Sequence, residues 1–118
     1  MALYPKLLYA AGITNTSGGN SLMYNPPTNP GRCAIIQNIS IINTGGSSAN
    51  IALSVTKQGS ATQVKLMPTA SVAAGVLLTF TTEITLSAEN ATSTNVDKLY
   101  YNSGGTFDVV VNGLERDL

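Results

Sequence analysis

The 118-residue chain has no histidine, no tryptophan and a single cysteine, and only 10% of its residues are charged, against about 25% in an average domain. Each shortage removes a class of function. Without histidine the chain lacks the commonest general base and the commonest metal ligand. The lone Cys33 can close neither an internal disulfide nor a thiolate cage. Six basic and six acidic residues cancel to zero net charge. Six scattered cations build no basic face for nucleic acid and no polybasic membrane anchor. No apolar run is long enough for a membrane-spanning helix. The opening Met-Ala-Leu-Tyr-Pro-Lys lacks the basic start and unbroken apolar stretch of a secretory signal. Lys, Glu, Gln and Arg are too few to build an amphipathic helix with a charged outer face.

The chain is instead rich in β-branched and small polar residues. Thr (14), Asn (11), Ser (11) and Gly (11) carry the polarity, and Val, Ile, Leu and Phe together (30) suffice for one core. β-Branched residues suit a pleated, half-buried surface, and 118 residues fit one domain. Extended segments are expected at Lys6–Thr14, Ser21–Tyr24, Cys33–Asn43, Ala49–Lys57, Gln63–Met67, from Val76 through Phe80 and on to Leu86, around Leu99–Tyr101, and at Thr106–Leu114. In the first, Leu7, Tyr9 and Ala11 fall on one face and Leu8 and Ala10 on the other. The alternation of Cys33–Asn43 slips at Gln37–Asn38, the mark of a bulge. Ala49–Lys57 alternates cleanly and, across NTGGSS, is expected to form a hairpin with the preceding strand. NPPTNPGR and PTASVAAG read as a bend and a corner, with NTSGG and NSGG as turns.

Eight or so strands with turns every eight to twelve residues predict an all-β, single antiparallel β-sandwich, jelly-roll or immunoglobulin-like. Residues 1–6 are expected to form an extended N-terminal arm and residues 7–118 the sandwich. The expected core is Ile39, Ile41, Ile51, Leu53, Val55, Leu78, Phe80, Val109 and Val111.

Little in the chain can carry chemistry. Glu115, Asp117, Asp97, Glu89 and Asp108 are isolated acids, and a catalytic pair would need two held roughly 5–10 Å apart. Cys33 lies in the most apolar strand and reads as a small hydrophobe. The paired glycines precede neither a helix nor a Lys-Ser/Thr pair and serve turns. No catalytic, cofactor or metal residue is assigned. The candidate contact residues are Ala2, Leu3, Tyr4, Pro5 and Lys6, an arm with no evident partner strand, together with Tyr100 and Tyr101. Those two tyrosines are adjacent in a strand, so one points in and one out. The outer ring can stack on a sugar or pack on a neighbouring protein.

The order of segments carries a resemblance. A short strand ends in Tyr and a Pro-rich bend (SLMYNPPTNPGR). An apolar strand runs into Asn-Thr-Gly (IIQNISIINTGG), and a strand of the form ANIALSV follows. A corner (PTASVAAGVLLTF) enters a Thr-rich strand, and the chain closes on FDVVVNGLE. This resembles small β-sandwich virion structural proteins of tailed bacteriophages, found as capsid decoration (cement) proteins and as neck, tail or fibre components. The matching positions are Tyr24, Pro27, Ile39, Ile41, Asn43, Thr44, Ala73, Ala74, Gly75, Val111, Gly113 and Glu115. The chain departs from that pattern after Leu86, where Ser-Ala-Glu-Asn-Ala-Thr replaces a Gly-Asp turn.

The resemblance implies structural duty without catalysis or cofactor. The partners it implies are a major capsid protein or other virion proteins, within a homotrimer or other homo-oligomer. The implied location is the virion, assembled in the host cytoplasm, with no nucleic acid or membrane partner. The alternatives are a neck, tail or fibre role, and a carbohydrate-binding module using Tyr100 or Tyr101.

Overall fold

The computed structural model describes residues 2–16, 19–24, 33–57, 60, 62–87 and 96–117. These form eight strands: β1 (Ala2–Ile13), β2 (Ser21–Tyr24), β3 (Cys33–Asn43), β4 (Ala49–Thr56), β5 (Val64–Val72), β6 (Leu77–Ser87), β7 (Lys98–Ser103) and β8 (Phe107–Asp117). Two four-stranded antiparallel sheets stack face to face, in the orders β1-β8-β3-β6 and β2-β7-β4-β5. Every connection except β4–β5 crosses from one sheet to the other. This is jelly-roll order, and it selects between the two sandwich types that the strand count allows.

The core lies between the sheets because the strands put every second residue inward and those inward residues are apolar. One sheet contributes Ile36, Ile39, Ile41, Phe107, Val109 and Val111, and the other Ile51, Leu53 and Leu99, all fully buried. Of the nine expected core residues, six are fully buried. Val55, Leu78 and Phe80 are half-buried and pack against the others. The expected bulge is present: β3 shifts register between Ile36 and Asn38 against both neighbours, so that Ile36 and Ile39 both point inward. Burying 0%-exposed Ile and Leu side chains of this kind stabilises by about 1.5–3 kcal/mol each.

Four expectations are corrected. The β3–β4 hairpin does not form: β3 pairs with β6 and β8, and β4 with β5 and β7. NTGGSS is therefore an inter-sheet crossing. The corner expected from Pro68 starts later, because β5 runs through to Val72. Proline is tolerated there because β5 is an edge strand and its register shifts between Met67 and Ala70. The face assignment in the first strand breaks at Leu8, where β1 bulges. Leu7 is 54% exposed while Tyr9 packs on the core. Finally, residues 2–6 are no separate arm. Their backbone continues β1 and pairs, from Ala2↔Asp117 to Lys6↔Gly113, with the end of β8.

Gly113 explains how β8 fits between two bulged neighbours. It stands beside the β1 bulge at Leu8 and opposite the β3 bulge. A Cβ there would collide with the Ile35 carbonyl oxygen and lie 2.9 Å from Leu8 Cδ1. Only glycine permits that approach.

Candidate functional site

Three regions of the molecule bear on function: the tyrosines, the turns at one end of the sandwich, and the two outer sheet faces. The candidate contact residues do not converge on one site. Ala2, Leu3, Tyr4, Pro5 and Lys6 belong to an outer strand of one sheet, and Tyr100 and Tyr101 lie in β7, an inner strand of the other. Tyr101, opposite Leu53, packs against the core. Tyr100, opposite Ser54 on β4 and Leu22 on β2, takes the outer face. One tyrosine thus points in and its neighbour out.

Two tyrosines outside the candidate set are tied into the sandwich. Tyr24, at the end of β2, donates its hydroxyl to Glu115 Oε1 on β8 at 3.4 Å, linking the two sheets. Burial raises the Tyr24 phenol above its ordinary pKa of 10.0, and the Glu115 charge and hydrogen bond push it further the same way. Tyr9 is raised as well, first by burial and then by the nearby Tyr101 phenol.

The residues that carry the resemblance prove to be fold nodes. Asn43 is 1% exposed. Its Nδ2 donates to Ser47 O at 2.9 Å and Val72 O at 2.8 Å, and its Oδ1 accepts from Gly45 N at 2.9 Å. Its backbone carbonyl accepts from Gly75 N at 2.8 Å and its backbone N–H donates to Val76 O at 3.2 Å. Side chain and backbone of this one residue thus weld the β3–β4 crossing to the end of β5 and the β5–β6 turn. Gly75 makes that turn at φ +75°, with Val76 N donating to Ala73 O at 3.1 Å. Thr44 N donates to Thr106 O at 3.1 Å, adding the start of β8 to the same end. Pro27 and the rest of the Pro-rich bend lie outside the described residues, as do residues 88–92 of the stretch that replaces the Gly-Asp turn, Glu89 among them. Cys33 begins β3 and is half-buried and free, less enclosed than its apolar surroundings in sequence suggest.

The outer face of the β1-β8-β3-β6 sheet went unrecognised in the sequence. Register places Leu7, Ala10 and Gly12 beside Asn112, Val110 and Asp108, then Asn38, Ser40 and Ile42 beside Thr81, Thr79 and Leu77. Leu7 (54%), Ile42 (41%) and Leu77 (55%) are among the most exposed large apolar residues, and Val76 (47%) adjoins Leu77. In these rows Asp108 is the only charge. The available signal was the doubled apolar residues IIN and VLL, where a strand alternating strictly would place a polar one.

The other sheet's outer face holds a cleft of about 570 Å³ at the end where the β1–β2 and β7–β8 connections meet β4 and β5. Its polar lining is dominated by the side-chain amides of Asn15, Asn20, Asn50, Gln63 and Asn102. Sequence reading missed it, because the five amides come from four different segments.

No family model matches the chain, and no curated protein matches it. Among solved structures, the chain is similar to one described as the structure of infectious bursal disease virus Gx strain, with TM-score 0.54, 9% identity, and coverage of 97% of this chain and 32% of that one. It also aligns with the CBM22-1–GH10 modules of Clostridium thermocellum endo-1,4-beta-D-xylanase 10B complexed with xylohexaose, with TM-score 0.44, 15% identity, and coverage of 97% and 24%. The chain thus spans a third or less of either neighbour. The viral likeness bears on fold: an all-β antiparallel sandwich.

Proposed function

We infer that this protein is a non-enzymatic structural component of a bacteriophage virion, a decoration (cement) protein that sits on the outer head surface and stabilises the shell. The observation that carries this reading is the outer face of the β1-β8-β3-β6 sheet. A small monomer in solution keeps its exposed apolar residues scattered. Here Ile42, Val76 and Leu77 adjoin at one corner of the sheet, beside rows of Ala, Gly, Ser, Thr, Asn and Val, and Leu7 is exposed on the same face at its far edge. Such a surface suits contact with the major capsid protein or with sister copies. The zero net charge of the chain fits the same reading, since it supplies no repulsion between copies packed on a lattice. Contacts too weak to hold singly add up when a homotrimer or other homo-oligomer presents several at once. The segment resemblance and the viral likeness of the fold are consistent with this role.

The test is attachment of the purified chain to heads that lack it. Wild-type chain is expected to bind at an icosahedral copy number, whereas Ile42→Asp and Leu77→Asp bind at least tenfold more weakly with a melting temperature close to wild type. A ring-type copy number of six or twelve would move the protein to the neck or tail. Undiminished binding of both variants would refute the surface assignment.

A further inference from the structure

The amide cleft on the opposite sheet plays no part in that reading. We propose that it is a binding site for a short neutral saccharide, held by hydrogen bonds from asparagine and glutamine side chains and not by stacking on Tyr100.

The site is built by the strand pattern. Asn50, Ala52 and Ser54 alternate along the outward face of β4, and the two last are small, so the floor lies low. Cross-strand pairing sets Asn102 of β7 beside Ala52 on one side and Lys65 of β5 beside Ser54 on the other. Asn15 and Asn20, flanking the β1–β2 turn, close the end next to Gly104. Although they face outward, Ala52 and Ser54 are only 8% and 7% exposed, so these walls shelter them.

The walls are held in place. Asn15 Nδ2 donates to Gly104 O at 3.3 Å, and Thr16 Oγ1 donates to Asn102 Oδ1 at 3.3 Å while accepting from Ser103 N at 3.1 Å. Ser54 Oγ donates to Gln63 Oε1 at 2.7 Å, which leaves the Gln63 NH2 as a donor. Lys65 Nζ is steadied by Thr69 Oγ1 at 3.2 Å. Fixed polar groups cost less to order on binding than mobile ones.

The lining also selects the ligand. An amide offers a donor and an acceptor side by side, and a sugar hydroxyl both donates and accepts. A lining that is rich in amides and, among the described residues, has one cation and no carboxylate therefore matches a neutral polyhydroxyl ligand. An apolar ligand would cover the Asn50 amide and the Gln63 NH2 without pairing either. A nucleic-acid backbone needs several cations, and Lys65 is the only one in the lining among the described residues. The volume falls within the ~300–1,000 Å³ of small-ligand sites. Among the described residues no aromatic ring lines the cleft, so affinity per site is low. Repetition of the chain on a particle would make it useful in adhesion to a glycan-coated surface.

The experiment is a 15N–1H NMR titration of the full chain with D-glucose, D-galactose, N-acetyl-D-glucosamine and, separately, inorganic phosphate, each to tens of millimolar. The expected result is saturable shifts with at least one sugar, confined to Asn50–Ser54, Gln63–Thr69 and Asn102–Gly104. Asn50→Ala removes an exposed amide and is expected to weaken the sugar about fivefold, the loss of one hydrogen bond. Ala52→Leu, which fills the floor, is expected to abolish the shifts while the spectrum stays dispersed. Tyr100→Ala is expected to leave affinity unchanged. No shift with any sugar, response to phosphate alone, or loss of sugar binding only in Tyr100→Ala would each overturn the proposal. Head attachment is measured independently, so failure here leaves the decoration reading standing.

Discussion

Asn43 offers the sharpest test of how the fold is held. Its side chain makes three hydrogen bonds from a position 1% exposed. Each contributes about 1 kcal/mol net, and a buried group left without its partner costs about 1–3 kcal/mol. Asn43→Ala is therefore expected to cost about 3–4 kcal/mol. Total stability for 118 residues is on the order of 6–18 kcal/mol, so the loss is a large share. Unfolding entropy scales as about 2.1 cal/mol/K per residue, which makes each kcal/mol about 4 °C here and predicts a melting point about 12–16 °C lower.

Asn43→Asp separates hydrogen-bond donation from shape. The carboxylate keeps the acceptor for Gly45 N but presents a charge to the Ser47 and Val72 carbonyls in place of two N–H donors. Nearly isosteric, it is nonetheless expected to be at least as damaging as Asn43→Ala at neutral pH. Urea denaturation of both variants, with calorimetry, measures this. A loss below about 1 kcal/mol for Asn43→Ala, or a clearly milder effect for Asn43→Asp, would refute the role given to this side chain.

Three further outcomes are expected. Gly113→Ala drives a methyl into the Ile35 carbonyl oxygen, which must move with β3. Its cost is expected at about 3 kcal/mol or more, read as a lower urea midpoint or as loss of soluble chain. Tyr24 has a folded pKa raised above 10.0, so the folded state holds the phenolic proton more tightly than the unfolded state. Stability from this group is complete below about pH 10 and falls as pH rises beyond it. Tyr24→Phe should flatten the fall in urea midpoint between about pH 9 and about pH 11, with Tyr9 supplying the remainder; an unchanged slope would contradict the assignment. Deleting residues 2–6 strips β8 of its partner over Gly113–Asp117. It is expected to cost about 2 kcal/mol and to expose to hydrogen exchange the alternate β8 amides that face β1, while those facing β3 stay protected. Unaltered exchange would argue against that pairing in solution.

Much of the fold was legible in the sequence because β periodicity is local. The alternation of Ile51, Leu53 and Val55, or of Phe107, Val109 and Val111, tells which side chains share a face without knowledge of any neighbour. The slip at Gln37–Asn38 likewise announced the bulge. The site residues were less legible. Tyr100 and Tyr101 stand out as a pair, but whether an outward ring lines a cleft depends on strands from elsewhere in the chain. The amides of the cleft are individually unremarked in a sequence with eleven asparagines. Leu7 shows how one inserted residue defeats a face assignment, since the bulge at Leu8 reverses the parity of everything before it.

By itself, then, the sequence determined the class: strands in place of helices, their approximate limits, the inward-facing residues, and the lack of histidine chemistry. Only the tertiary structure decided that β3 and β4 part company into different sheets and that residues 2–6 complete β1. It alone gathered Leu7, Ile42 and Leu77 on one face and five amides around one cleft. The reason is physical. Which face a side chain takes follows from a two-residue repeat within its own strand. Which strand lies alongside follows from pairing between segments about a hundred residues apart, as in β1 with β8, and no local pattern encodes that choice.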